Sequence, residues 1–129
     1  MGVLAAHGIA EDRVVARAAV DIVDAQVTAY NAHDVDAFLD CYAADAEIID
    51  WPDRIRARGR DEMREGYDRQ FRENPSLLAT IENRIVQGRF VIDHERVTGR
   101  ASGRETLFVV IYEIVGDAIS KVWIVGPGT

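Results

Sequence analysis

Apolar positions in the first quarter of the chain recur every three or four residues. Val15, Ala19, Ile22, Gln26 and Tyr30 share one stripe, widened by Val23 and Val27, and the spacing predicts a helix over residues 11–32. The stripe ends on Gln26 and Tyr30, which puts two polar tips on its buried side; a helix end running out into solvent would read the same way. Asp34 is placed to N-cap a second helix over residues 35–42, with Val35, Phe38, Leu39 and Tyr42 facing inward. His33 precedes the cap in a polar corner and is expected to be exposed. A short strand over 46–50 alternates Ile48 and Asp50 against Glu47 and Ile49 and ends at Trp51-Pro52, because proline cannot continue a ladder. Residues 53–58 (DRIRAR) read as a basic loop. A third helix over 60–74 carries Met63, Tyr67 and Phe71 on one face, and Asn74-Pro75 stops it.

From Leu77 the period changes to two. Strands are predicted over 77–86, 89–98, 104–115 and 118–126, joined by tight turns at Gln87-Gly88 and Gly116-Asp117 and a looser one over 100–103. The last two strands are apolar on both faces. Phe108, Val110, Tyr112 and Ile114 lie opposite Leu107, Val109, Ile111 and Val115, while Ile119, Trp123 and Val125 oppose Val122 and Ile124. Three helices can cover one face of such a sheet, so the other predicts a partner subunit and a homodimer formed through the sheet.

Composition narrows the classes. A chain of 129 residues predicts one domain, 1–129, with 1–11 as a flexible extension. Fifteen Lys and Arg against 22 Asp and Glu give a net charge of −7, which argues against nucleic acid and anionic membranes as partners. The single cysteine, Cys41, has no internal disulfide partner and is expected as a buried structural thiol. No leader-like or membrane-spanning apolar run is present, and a cytoplasmic location is the default expectation.

The order helix, short helix, strand, helix and sheet resembles the nuclear transport factor 2-like superfamily, in particular its SnoaL-like and ketosteroid-isomerase-like members. The residues that carry the resemblance are YNAHDVDAFLDCYAADAEIID (30–50), RGRDEMREGY (58–67) and the closing strands LFVVIYEI and AISKVWIV. It implies an α+β fold in which a cone-shaped, curved antiparallel sheet wraps a pocket closed by three N-terminal helices. It does not fix an activity, since the superfamily holds isomerases, cyclases, dehydratases, epoxide hydrolases and non-catalytic modules. Laid on the ketosteroid isomerase pattern, Asp50 takes the general-base position. The two oxyanion donors are missing, their positions falling on Gln26 and Val110, so true ketosteroid isomerase activity is not expected. The same alignment turns His94, with Phe90 and Ile92, toward the cavity.

These placements make Asp50 the candidate base and His94 its acid or orienting partner. A carboxylate against apolar walls is desolvated and moves toward general-base strength near neutral pH. Gln26, Tyr30, Trp51, Tyr67, Val110, Tyr112 and Trp123 are the candidate substrate contacts, with Trp123 equally suited to the subunit interface. The competing readings are a strand-end carboxylate capping amides for Asp50 and an exposed polar run, Asp93-His94-Glu95-Arg96, for His94. Arg54, Arg56 and Arg58 could gate an anionic substrate or form a solvated loop. No metal-ligand spacing, phosphate loop or nucleophile elbow occurs, so neither metal nor cofactor is expected. The expected function is cofactor-independent acid–base chemistry of isomerase, cyclase or lyase type on a small hydrophobic molecule; the rival is a non-catalytic ligand-binding module. An epoxide hydrolase would need an aspartate–arginine–aspartate group, for which only Arg96, beside the face of His94, offers a start.

Overall fold

The computed structural model describes residues 2–128, with side chains described from residue 11 onward. Helix α1 (Gly2–Asn31) is followed by α2 (Val35–Asp40), strands β1 (Tyr42–Asp50) and β2 (Arg54–Arg58), helix α3 (Gly59–Glu73), and strands β3 (Leu78–Gln87), β4 (Phe90–Thr98), β5 (Thr106–Val115) and β6 (Ala118–Val125). The extension expected over 1–11 falls, up to residue 10, outside the described side chains.

The strands form one curved sheet in the order β2-β1-β6-β5-β4-β3, and the α+β class and cone shape are as the resemblance implies. One pairing departs from it: β1 runs parallel to β6, so the sheet is mixed. The basic segment read as a loop is instead the edge strand β2. Its backbone pairs with β1, and Arg58 sits opposite Glu47 with Nε 2.9 Å from Oε2. Tyr42 likewise opens β1 rather than ending α2, and it is almost completely buried there.

Local signals set the helix ends. Asp34 caps α2 by accepting a 3.1 Å hydrogen bond from the Ala37 N–H. His33 is not exposed. It takes the left-handed conformation (φ 56°) that turns the chain from α1 into α2, stacks on Phe71 at 4.6 Å, and donates from Nε2 to the Leu77 carbonyl at 2.8 Å. Asn31 fixes the end of α1 to β3 through two hydrogen bonds with the Ala79 backbone, at 2.7 and 2.9 Å. Cys41 is half-buried, and its thiol donates to the Ala37 carbonyl at 3.5 Å.

Ala19 and Val23 of α1, Phe38 of α2, Met63 of α3, and Ile48, Val91 and Ile119 of the sheet meet in one core. Burying a side chain of this size is worth about 1.5–3 kcal/mol. The β5–β6 pairing slips between Glu113 and Ile114, so Ile119 joins Val122 and Ile124 on the inner face instead of opposing them. Trp123 stays on the outer face, opposite Ile111 and Ile49. Among the described residues no helix is long and apolar enough to cross a membrane.

Candidate functional site

Helices α1 and α3 stand over the inner face of the sheet and leave a cavity of about 90 Å³ between them. Gln26 and Tyr30 enter it from α1, and Tyr67 and Gln70 from α3. Tyr42 reaches it from β1 and Arg56 from β2. Val110, Phe108, Val122 and Ile124 supply the apolar wall, and Arg100 lies at the loop between β4 and β5.

The acidic group inside is Glu95. The register of β4 against β5 sets Glu95 opposite Phe108 and Asp93 opposite Val110, so Val91, Asp93, Glu95 and Val97 face inward and Phe90, Ile92, His94 and Arg96 face outward. His94, expected in the cavity, is therefore on the far side of the sheet, across from Asn83 and Val109. Two carboxylates can occupy the inner face because each has a partner. Asp93, fully buried, takes both arms of Arg84, with Nε 2.6 Å from Oδ1 and Nη2 2.9 Å from Oδ2. Arg84 also meets Asp24 of α1 at 2.6 Å, which ties the helix to the β3–β4 hairpin. This is an aspartate–arginine–aspartate group that the sequence did not disclose, but none of its members lines the cavity.

Glu95 is only 7% exposed, and Oε2 accepts a 2.7 Å hydrogen bond from the Tyr112 hydroxyl. Burial raises the pKa of its carboxyl to about 7; the Tyr112 hydrogen bond and Arg84 pull it down, while Asp93 pushes it up. The phenols around it are held protonated. Burial pushes Tyr67 up to about 12 and raises Tyr30, Tyr42 and Tyr112 as well. Of these four hydroxyls, only that of Tyr112 has a protein hydrogen-bond partner among the described residues.

Five of the anticipated contacts line the cavity: Gln26, Tyr30, Tyr67, Val110 and Tyr112. Trp51 does not; it lies past the end of β1, 46% exposed. Trp123 faces outward, as described. Asp50 is on the inner edge opposite Ile124, but its carboxylate turns to an ion pair with Arg56, which places it at the rim. Among the described residues no group of three or more His, Cys, Asp or Glu side chains is placed to hold a metal ion.

A family model described as a SnoaL-like domain matches residues 23–122, from the middle of α1 through β6. The chain belongs to the SnoaL-like family. No curated protein matches it. Among solved structures, a cystatin-fold protein of Novosphingobium aromaticivorans is 26% identical over 82% of this chain and 96% of its own, with a TM-score of 0.77. A protein of Sinorhizobium meliloti described as a candidate polyketide cyclase is 23% identical over 81% and 93%, with a TM-score of 0.70. A nuclear transport factor 2-like protein of Cytophaga hutchinsonii is 10% identical over 84% and 88%, with a TM-score of 0.71. The last two establish likeness of fold alone. The cavity of this SnoaL-like chain holds one carboxyl, Glu95, two arginines, Arg56 and Arg100, and four tyrosines.

Proposed function

We propose that this SnoaL-like protein is a cofactor-independent acid–base enzyme of isomerase, cyclase or lyase type, with Glu95 as the base. The observation that carries this reading is a buried carboxyl that lines the cavity among four tyrosines, with its pKa raised to about 7. A base of that strength is half ionised at neutral pH, where both proton abstraction and return are efficient. Glu95 would take a proton from carbon beside a carbonyl. The Tyr30, Tyr42 and Tyr67 hydroxyls, without protein partners, would donate to the oxygen on which negative charge develops. Fixed donors of this kind replace the two oxyanion groups that Gln26 and Val110 do not supply. Asp50 then serves the mouth, holding Arg56, rather than the chemistry. The candidate cyclase of Sinorhizobium meliloti is consistent with such chemistry.

Solvent-deuterium exchange at the α-carbon of acetone, butanone and cyclohexanone, followed by NMR, tests the reading. The native protein should accelerate exchange of at least one ketone, and Glu95→Gln should abolish the acceleration, a loss of about 10²–10⁴-fold. Equal acceleration by both proteins would overturn it. A ligand-binding module would bind these molecules without exchanging them.

We further propose that the protein works as a homodimer through the outer face of the sheet. One continuous row of side chains crosses that face: Ile85, Ile92, Ile111, Trp123, Ile49 and Ile55, each cross-strand to the next. Among the described residues no helix covers the row, and a second copy would bury its exposed members. Light scattering should give twice the chain mass at micromolar concentration, and Ile111→Glu should return a monomer.

A further inference from the structure

The cavity brings cationic side chains together in a chain of net charge −7. Its lining carries two guanidinium groups, Arg56 and Arg100, against one carboxyl, Glu95. Arg56 is neutralised by Asp50. Arg100 is not: among the described residues its side chain makes no ion pair and no hydrogen bond, and it rests only over the Phe108 ring, 6.0 Å from the centroid. A half-buried arginine keeps five N–H donors and normally finds an acceptor for them.

The backbone that carries Arg100 is fixed on both sides. Gly99 has φ +79°, and a Cβ there would lie 1.8 Å from the Ser76 carbonyl oxygen, so the chain passes at a separation only glycine allows. The Ala101 N–H donates to Asn74 Oδ1 at 2.9 Å, and the Arg100 carbonyl accepts from the Gly103 N–H at 2.8 Å. Asn74 is itself held, its Nδ2 donating to the Gln70 carbonyl at 2.9 Å. An unpartnered guanidinium on a clamped loop is an available anion contact whose backbone needs no ordering on binding, leaving only the side-chain torsions to be fixed.

A second observation comes from the opposite wall. Gln26 is only 5% exposed and lines the cavity, yet its Oε1 is buried without a hydrogen-bond partner. Leaving such an acceptor unsatisfied costs about 1–3 kcal/mol. A ligand hydroxyl would satisfy it. At about 90 Å³ the cavity is smaller than the ~150 Å³ apolar void that takes up benzene, so it suits a small ligand.

We propose that the cavity takes a small hydroxy or enolisable organic acid, its carboxylate on Arg100 and its hydroxyl or enol O–H donating to Gln26 Oε1. The proposal deepens the acid–base reading by naming the substrate class of the same site. It replaces the purely hydrophobic molecule expected from the sequence. The carboxylate takes two N–H donors of the guanidinium in a forked contact, and Phe108 and Ile124 hold the carbon skeleton between the two polar ends.

The test is binding, measured by NMR titration of the full chain at low salt, with two acids and their neutral isosteres. The probes are 3-hydroxybutyrate against butane-1,3-diol, and 4-hydroxybenzoate against 4-hydroxybenzyl alcohol. At least one acid should bind about tenfold or more tightly than its alcohol. Arg100→Gln should remove the preference, and Arg100→Lys should keep part of it. Glu95→Gln should retain the preference even where it abolishes deuterium exchange, so loss of catalysis and loss of anion recognition are read separately. An Arg100→Gln protein that still prefers the acid, or no preference in either pair, would overturn the proposal.

Discussion

Tyr112 reaches along the inner face of β5 and donates a 2.7 Å hydrogen bond to Oε2 of Glu95 on the neighbouring strand. It is the one protein hydrogen bond of that carboxyl among the described residues. A single donor cannot offset the loss of water from a group 7% exposed, and the balance between the two sets the acidity of the cavity.

Stability should therefore depend on pH in a definite direction. The folded carboxyl of Glu95 has a pKa near 7 against an ordinary value of 4.5, so between these limits the native state holds a proton that the unfolded chain has released. The contribution from Glu95 is fully present below about pH 4.5 and is lost as pH rises to about 7, on the order of 3 kcal/mol in all. Glu95→Gln keeps an acceptor for Tyr112 and should remove this component. Urea unfolding at pH 5 and pH 8 should show a smaller pH difference for the variant and higher stability than the native protein at pH 8.

Tyr112→Phe removes the one group among the described residues that hydrogen-bonds the carboxylate. The pKa of Glu95 should rise further and, at pH 8, stability should fall by about 1–2 kcal/mol. The pH midpoint of any deuterium exchange should move upward with it. An unchanged midpoint would show that the bond does not govern the base.

Arg84 and Asp93 form a pair whose two halves should be unequal to remove. Arg84→Met leaves a fully buried carboxylate without its bidentate partner and should cost about 3–5 kcal/mol. The double variant Arg84→Met/Asp93→Leu removes the charge as well and should recover most of that loss. A double-mutant cycle by denaturant unfolding reads the coupling directly.

Two glycines separate backbone conformation from steric contact. Gly99 and Gly103 share φ +79°, but a Cβ at Gly99 meets the Ser76 carbonyl, whereas at Gly103 it meets nothing within 4 Å. Gly103→Ala should cost about 1 kcal/mol from φ alone, and Gly99→Ala clearly more, with thermal unfolding as the readout.

The elements were legible in the sequence because their signals are local. Asp34, Asn74-Pro75 and the change of period at Leu77 mark boundaries that the structure keeps within a few residues. β2 was hidden because its arginines look like a solvated loop until β1 is beside them. The site was harder, because a strand's inner face is fixed by its neighbours. Both faces of β4 carry two apolar and two charged or ionisable residues, and Phe90 and Ile92 outweighed Val91 and Val97. One signal could have decided it. A two-residue turn at Gly88-Arg89 pairs Gln87 with Phe90 and brings Arg84 opposite Asp93, an opposite-charge pair that carries Glu95 inward and His94 outward. The slip between Glu113 and Ile114, by contrast, has no marker in the sequence, and it decided the faces of Ile119 and Trp123.

The central claim is that Glu95 is a desolvated base in the cavity. Its most direct test is a ¹³C NMR titration of the Glu95 side-chain carboxyl, assigned by comparison with Glu95→Gln. A midpoint near 7 is the predicted result. A midpoint near the ordinary 4.5 would show a hydrated, ordinary carboxylate and would contradict the account.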